Sequence, residues 1–305
     1  MNASMITRRT FLRSSAALAV LAAGPRLLTA RPGRDPMDRI ALTTVTFRFR
    51  FAATRPHDYA GTEGLLRLTD VPPFFADRFG VHNVELWSLH FESTAPSYLR
   101  DLRKAISDAD SRLINIQIDH PYNLAASDEQ TRRESIALVK EWVDVARTLG
   151  APSVRANTGT GTVEASIQSL RELNEYAAER GILLLTENHG GISTDTDVLV
   201  QILKGIPSDN FRAVADFGNF PEETDRYEAL ARLIPHTHLI SAKTRVFDAE
   251  GHHISFDYDR CIRTAENAGF RGIYSAEQWD PSTDPLDAEY IADWMIEHIR
   301  ANLIT

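Results

Sequence analysis

Three acidic residues each close a short apolar run. Glu187 ends Ile182-Leu183-Leu184-Leu185-Thr186, Asp216 ends Phe211-Arg212-Ala213-Val214-Ala215, and Glu277 ends Gly272-Ile273-Tyr274-Ser275-Ala276. An ionised carboxylate closing an apolar strand is costly unless it is paired. If these strands are parallel neighbours, three carboxylates converge at one mouth of a sheet. Like charges held that close raise one another's pKa unless a cation neutralises them. A divalent metal held by oxygen ligands is the economical cation. Each residue taken singly has a plainer reading: a structural salt bridge for Glu187, a helix N-cap for Asp216, a solvent-facing strand end for Glu277. Their joint occurrence at three strand ends favours a site.

The elements that must position them alternate along the chain. Strand candidates are Ile40–Thr46, Asn83–Trp87, Leu113–Ile118, Ser153–Ala156, Ile182–Glu187, Arg212–Asp216, Thr237–Ala242 and Ile273–Glu277. Helical patterns follow them at Gly64–Phe79, Pro96–Ala109, Glu129–Leu149, Val163–Arg180, Thr196–Ile206, Arg226–Ile234, Asp257–Ala268 and Asp287–Leu303. Gly80, Gly150, Gly181 and Gly269 lead from helix to strand, as left-handed C-caps do. Eight such units make an α/β fold, a single-domain (β/α)8 TIM barrel over residues 38–305. A doubly wound sheet would show a Gly-rich phosphate turn after its first strand, and none is present. The long segment from Phe47 to Glu63, rich in Arg, His and Tyr, is read as a lid over the barrel mouth.

In such barrels chemistry sits where strands end. Those positions add Glu85, Trp87 and His90 on strand two, Asp119, His120 and Asn123 on strand three, and Arg155 and Asn157 on strand four. A sugar site needs aromatic faces against C–H surfaces and polar groups for hydroxyls. Trp87, Trp279 and Phe220 offer the first; His90, His120, Arg155 and Asn157 offer the second. Each of these is also an ordinary packing residue until placed.

The chain has 305 residues, with a net charge of -9 and one cysteine, Cys261. An acidic surface disfavours nucleic acid, and a lone cysteine excludes an internal disulfide or a cysteine zinc cluster. Residues 1–30 read as a twin-arginine signal peptide: Thr7-Arg8-Arg9-Thr10-Phe11-Leu12-Arg13 precedes the apolar run Ala16 to Ala23. That run is too short to span a bilayer, so cleavage leaves no stable membrane anchor and a periplasmic protein. Removing residues 1–30 deletes four arginines and no acid, which leaves a net charge of -13. A Pro/Gly/Arg linker, residues 31–37, joins this segment to the barrel.

At its strand ends the chain resembles the xylose isomerase-like barrels of the sugar phosphate isomerase/epimerase superfamily, over roughly residues 38 to 303. It is most similar to an exported branch with Glu-Asn-His-Gly-Gly, Asp-Phe-Gly-Asn-Phe and Ser-Ala-Lys in that order, here Glu187–Gly191, Asp216–Phe220 and Ser241–Lys243. The resemblance implies that Glu187, Asp216 and Glu277 ligate a metal and that Glu187 and Glu277 flank the reacting carbon. The family's usual histidine ligand on strand seven is missing; the matching position is Ser241. His189, Gln278 or Ser241 is left to complete the shell. Lys243 is a cationic substitute or a substrate contact. Oxygen donors select Mg, Mn or Co, and zinc gains ground if His189 coordinates.

The activity implied is a metal-dependent sugar isomerase or epimerase. A base removes the proton next to a carbonyl and an enediolate forms. Glu187, Glu277 and His189 are the candidate bases. The same proton abstraction on a 3-keto-glycoside expels a β-substituent, which makes a lyase or deglycosidase the rival within the enzyme class. A non-catalytic sugar-binding barrel is the rival outside it. An apurinic endonuclease would need more histidine ligands and a basic face. No Arg/Lys cluster at strands seven and eight holds a phosphate, so the expected partner is a non-phosphorylated carbohydrate. Monomer and homo-oligomer are both left open.

Overall fold

The computed structural model describes residues 35–280 and 287–304. The signal peptide and most of the linker lie outside these residues. Eight parallel strands close into a barrel in chain order: β1 Ile40–Thr43, β2 Asn83–Trp87, β3 Arg112–Ile118, β4 Ser153–Ala156, β5 Leu183–Glu187, β6 Phe211–Asp216, β7 Thr237–Thr244 and β8 Ile273–Gln278. Among the described residues eight α-helices cover it: α1 Val71–Phe79, α2 Pro96–Asp108, α3 Glu129–Leu149, α4 Val163–Ala178, α5 Thr196–Gly205, α6 Arg226–Leu233, α7 Tyr258–Asn267 and α8 Ala288–Asn302. Among the described residues no helix is long and apolar enough to cross a membrane.

The apolar residues separate into two bodies. The larger lies between strands and helices; the smaller, Ala41, Ile114, Leu183, Leu185, Val214, Leu239 and Ile273, fills the barrel interior. Side chains alternate faces along a strand. The interior face therefore runs Leu183, Leu185, Glu187 on β5 and Val214, Asp216 on β6. On β7 it runs Leu239, Ser241, Lys243, and on β8 Ile273, Ser275, Glu277. Strand pairing sets Lys243 beside Glu277 and Asp216 beside Ser241. Apolar layers below thus give way to one polar layer at the C-terminal mouth.

Two boundaries differ from expectation for a physical reason. β1 stops at Thr43, because residues Thr44–Arg50 turn into a 3-10 helix that buries Phe47 against Phe74, Phe75 and Phe79. The start of the segment read as a lid is therefore core. α1 begins at Val71 rather than Gly64, with Pro72 in its first turn. At the mouth, Gly191 has φ +82°, and a Cβ there would meet the Gly159 carbonyl oxygen. The two backbones pair here, with the Ile192 amide donating to the Gly159 carbonyl at 2.9 Å, and so tie the loops after β4 and β5 together.

Candidate active site

A cavity of 560 Å³ opens at the C-terminal mouth, walled by Val45, Trp87, Gln117, Asp119, His120, Tyr122, Arg155, Asn157, Gly159, His189, Gly190, Asn219, Lys243, Arg245, Glu277 and Trp279. Its size suits one small organic ligand. The three expected carboxylates do meet beneath it, and what lies among them is the chain's own cation. Lys243 Nζ stands 2.8 Å from Asp216 Oδ2 and 2.8 Å from Glu277 Oε1. Its third N–H is donated to Asn219 Oδ1 at 3.2 Å. Burial disfavours the ammonium, but Asp216, Glu277 and Glu187 hold its pKa well above that of an ordinary lysine.

A second cation neutralises the other side. Arg155 donates to both Asp119 oxygens, at 2.6 and 3.0 Å, and its Nε lies 3.2 Å from Glu187 Oε2. The indole of Trp87 and the amide of Asn157 donate to Asp119 as well. Burial would raise Asp119, yet the Arg155 charge and these donors hold it below the usual carboxylate range. Glu187 and Asp216 are driven apart. Burial raises Glu187 well above its ordinary value and outweighs Arg155, with Asp216 adding repulsion. Burial also acts against Asp216, but Lys243 brings it below its ordinary value.

This donor set does not fit a resident dication. An ammonium already spans Asp216 and Glu277, and Glu187 is committed to a guanidinium. Among the described residues no group of three or more His, Cys, Asp or Glu side chains is arranged to hold a metal ion. Of the proposed completing ligands, Ser241 stays at the cluster and donates to Glu277 Oε2 at 3.4 Å, His189 lies in the cavity wall, and Gln278 accepts from Arg48 while donating to the Arg245 carbonyl.

Of the expected contacts, Trp87, His120, Arg155, Asn157, His189, Lys243, Glu277 and Trp279 share the cavity wall. Trp87 and Trp279 meet edge to face, centroids 5.9 Å apart. His120 stacks on Trp142, and its buried Nε2 has no hydrogen-bond partner among the described residues. His189 has no ring hydrogen bond among the described residues, and burial, reinforced by Arg155 and Lys243, lowers its pKa to about 4. It therefore presents a neutral imidazole.

Other expectations are corrected. Glu187, expected to flank the reacting carbon, is buried and is not in the cavity wall. His90 lies flat on Phe51, centroids 3.8 Å apart, with its Nε2 3.0 Å from Thr54 Oγ1; it is packing, not a ligand contact. None of residues 47–63 lines the cavity. Glu85 lies deeper in the barrel, where Asn115 and Ser275 donate to it.

Gln117, Asn219 and Arg245 were missed. Gln117 donates to Glu277 Oε2 at 2.8 Å and so fixes the carboxylate's orientation. A glutamine inside the apolar Ile116-Gln117-Ile118 was the available signal. Asn219 sits in the same Asp-Phe-Gly-Asn-Phe motif as Asp216, and Arg245 directly follows β7.

Comparison with known proteins follows the same outline. A sequence profile described as Xylose isomerase-like TIM barrel matches residues 75–301. No curated protein matches the sequence. Among solved structures, L-ribulose 3-epimerase superposes with a TM-score of 0.68 at 16% identity, covering 87% of this chain and 95% of its own. D-allulose 3-epimerase from Methylomonas sp. gives 0.66 at 13%, covering 87% and 98%. A xylose isomerase-like barrel from Mycobacterium smegmatis, in complex with magnesium, gives 0.63 at 16%, covering 87% and 98%. At such identities the likeness is one of fold.

Proposed function

Because the chain belongs to the xylose isomerase-like TIM barrel family, we propose that it is an isomerase or epimerase moving a proton next to the carbonyl of a non-phosphorylated sugar. One observation carries this reading: Glu277, His189 and Lys243, from different strand ends, converge on a single sugar-sized cavity. Epimerases among the solved structures of the same fold support it. Trp87 and Trp279 supply apolar surface for C–H faces, and Asn157, His120 and Arg245 supply polar contacts for hydroxyls.

Glu277 and neutral His189 are the groups able to accept the proton. As the C–H bond breaks, its electron pair forms the C=C bond and the carbonyl π pair moves to oxygen. Return of the proton to the neighbouring carbon, with the α-hydroxyl's proton passing to the oxyanion so that the carbonyl re-forms at the α-carbon, isomerises the sugar; return to the opposite face of the same carbon epimerises it. Gln117, with Ser241, holds Glu277 in place while this happens. No dication has a part in the scheme. We also carry forward export: residues 1–30 are proposed to direct the folded protein to the periplasm, where free sugars and glycosides are the available substrates. Cell fractionation with and without residues 1–30 tests this.

The test of function is incubation in D2O with free ketoses and with 3-keto-glucosides, followed by NMR. Deuterium at the α-carbon together with an epimer or isomer is the expected result. Release of an aglycone would place the same proton chemistry in a lyase. Sugar binding with no exchange would overturn the enzymatic reading in favour of a binding barrel.

A further inference from the structure

We propose that Lys243 and Asn219 together form an oxyanion site, occupying the position among the carboxylates that a dication would take. The inference rests on the proton-transfer reading above and names the group that receives the charge. Three observations carry it. First, the ammonium is fixed: two of its N–H groups face Asp216 and Glu277, and the third, its longest contact, goes to the neutral Asn219 Oδ1. Second, that contact orients the Asn219 amide, and its Nδ2 is buried with no acceptor among the described residues. Third, both residues line the cavity beside Glu277 and His189.

The local sequence makes room for this arrangement. In Asp216-Phe217-Gly218-Asn219, the Gly218 amide donates to Asp216 Oδ1 at 2.7 Å and turns the chain tightly. A Cβ at Gly218 would stand 2.8 Å from both Cγ and Cδ of Lys243. Only glycine lets the lysine stem lie across the turn and reach the carboxylates.

In the reaction, the substrate's carbonyl oxygen gains negative charge as its α-proton leaves. A charged acceptor competes better for an ammonium N–H than a neutral amide oxygen does. The oxyanion therefore takes the third Lys243 donor from Asn219 Oδ1, and the unpartnered Nδ2–H2 supplies a second hydrogen bond. Because the exchange only swaps one acceptor of a fixed ammonium for another, it lowers the barrier with little reorganisation of the site.

The experiment uses the full chain after stripping with EDTA. Mn2+ titration followed by EPR is expected to show no stoichiometric site. D-threonohydroxamate, a sugar-acid mimic of the enediolate, is expected to bind the stripped protein and to bind Asn219→Ala at least about tenfold more weakly. In Asn219→Ala, kcat falls about a hundredfold while KM moves little. Stoichiometric Mn2+ binding by the wild type overturns the inference, as does hydroxamate affinity unchanged by Asn219→Ala. Lys243→Met risks misfolding, so neither arm depends on it. Turnover that requires bound Mn2+ would sink this inference and spare the proposed reaction. Failure to exchange any sugar proton would sink the reaction, while the Mn2+ result still reads what fills the mouth.

Discussion

Two buried ionic clusters sit at opposite ends of this barrel, and they are built differently. At the N-terminal end, Glu266 of α7 accepts from both terminal nitrogens of Arg39, from the Tyr274 hydroxyl and from the Ile304 amide, with Arg271 3.5 Å away. Its lone pairs are spent. At the C-terminal mouth the charges are as deeply buried, and ion-pair distances are as short. Yet beside these pairs Asn219 Nδ2, Asn157 Oδ1 and His120 Nε2 are buried with no hydrogen-bond partner among the described residues. Unsatisfied buried polar groups are expensive, and a fold retains them where they serve a ligand. The first cluster ties elements together; the second pairs its charges and still leaves polar groups of the cavity wall without a protein partner among the described residues.

That contrast can be broken most directly at Glu277 and Glu266. Glu277→Gln keeps the shape and a contact to Gln117 but removes the charge facing Lys243 and the proton acceptor. We expect kcat to fall about 10³-fold, with an unchanged circular dichroism spectrum. Wild-type turnover in this variant would dissolve the distinction between the two ends. Glu266→Ala should do the reverse. It strands the Arg39 guanidinium in a buried place, so urea denaturation should report a loss of about 3–5 kcal/mol. Its kcat at a temperature where it stays folded should match wild type. Asp119→Asn sits between the two. It weakens the Arg155 pair and costs about 2 kcal/mol by urea denaturation. It also raises KM, because Trp87, Asn157 and Arg155 all lean on Asp119 in the cavity wall.

The same contrast explains what could be read from the chain and what could not. The barrel was legible because each strand is a short apolar run and Gly80, Gly150, Gly181 and Gly269, all at positive φ, lead from helix to strand as expected; six of the eight described helices also start at a side-chain cap, Asp128, Thr162, Asp195, Asp225, Asp257 and Asp287. The convergence of Glu187, Asp216 and Glu277 followed from their places at strand ends. The cation between them was harder. Lys243 was read as a cationic substitute or a substrate contact, but strand seven was expected to end at Ala242, two residues short of Thr244, so its place in the inward series from Leu239 and Ser241 was not read. Period-two alternation carried through to the real strand end would have put its stem inside the barrel. Asn219 gave no such signal, since its role depends on a turn geometry that Gly218 allows and no spacing reveals. His90 misled for a different reason: it lies at the end of strand two, but the 3-10 helix replacing the end of β1 brings Phe51 over its ring.

His90 gives the smallest of the expected effects and the cleanest sign. Burial lowers its imidazole to about 3, far below the 6.5 of an exposed ring. Between these values the unfolded chain binds a proton that the folded chain refuses. The contribution is therefore fully present above pH 6.5 and is lost as pH falls toward 3. From pH 7 to pH 5 the loss attributable to this one ring is about 2 kcal/mol. His90→Asn removes the titration but also the stacking on Phe51, so it should be less stable at pH 7. Its stability should then decline less steeply on acidification, and urea midpoints at the two pH values measure the difference. A variant with the wild-type slope would mean that the ring takes up its proton in the folded state, and that the packing around Phe51 and Thr54 is looser than the distances here show.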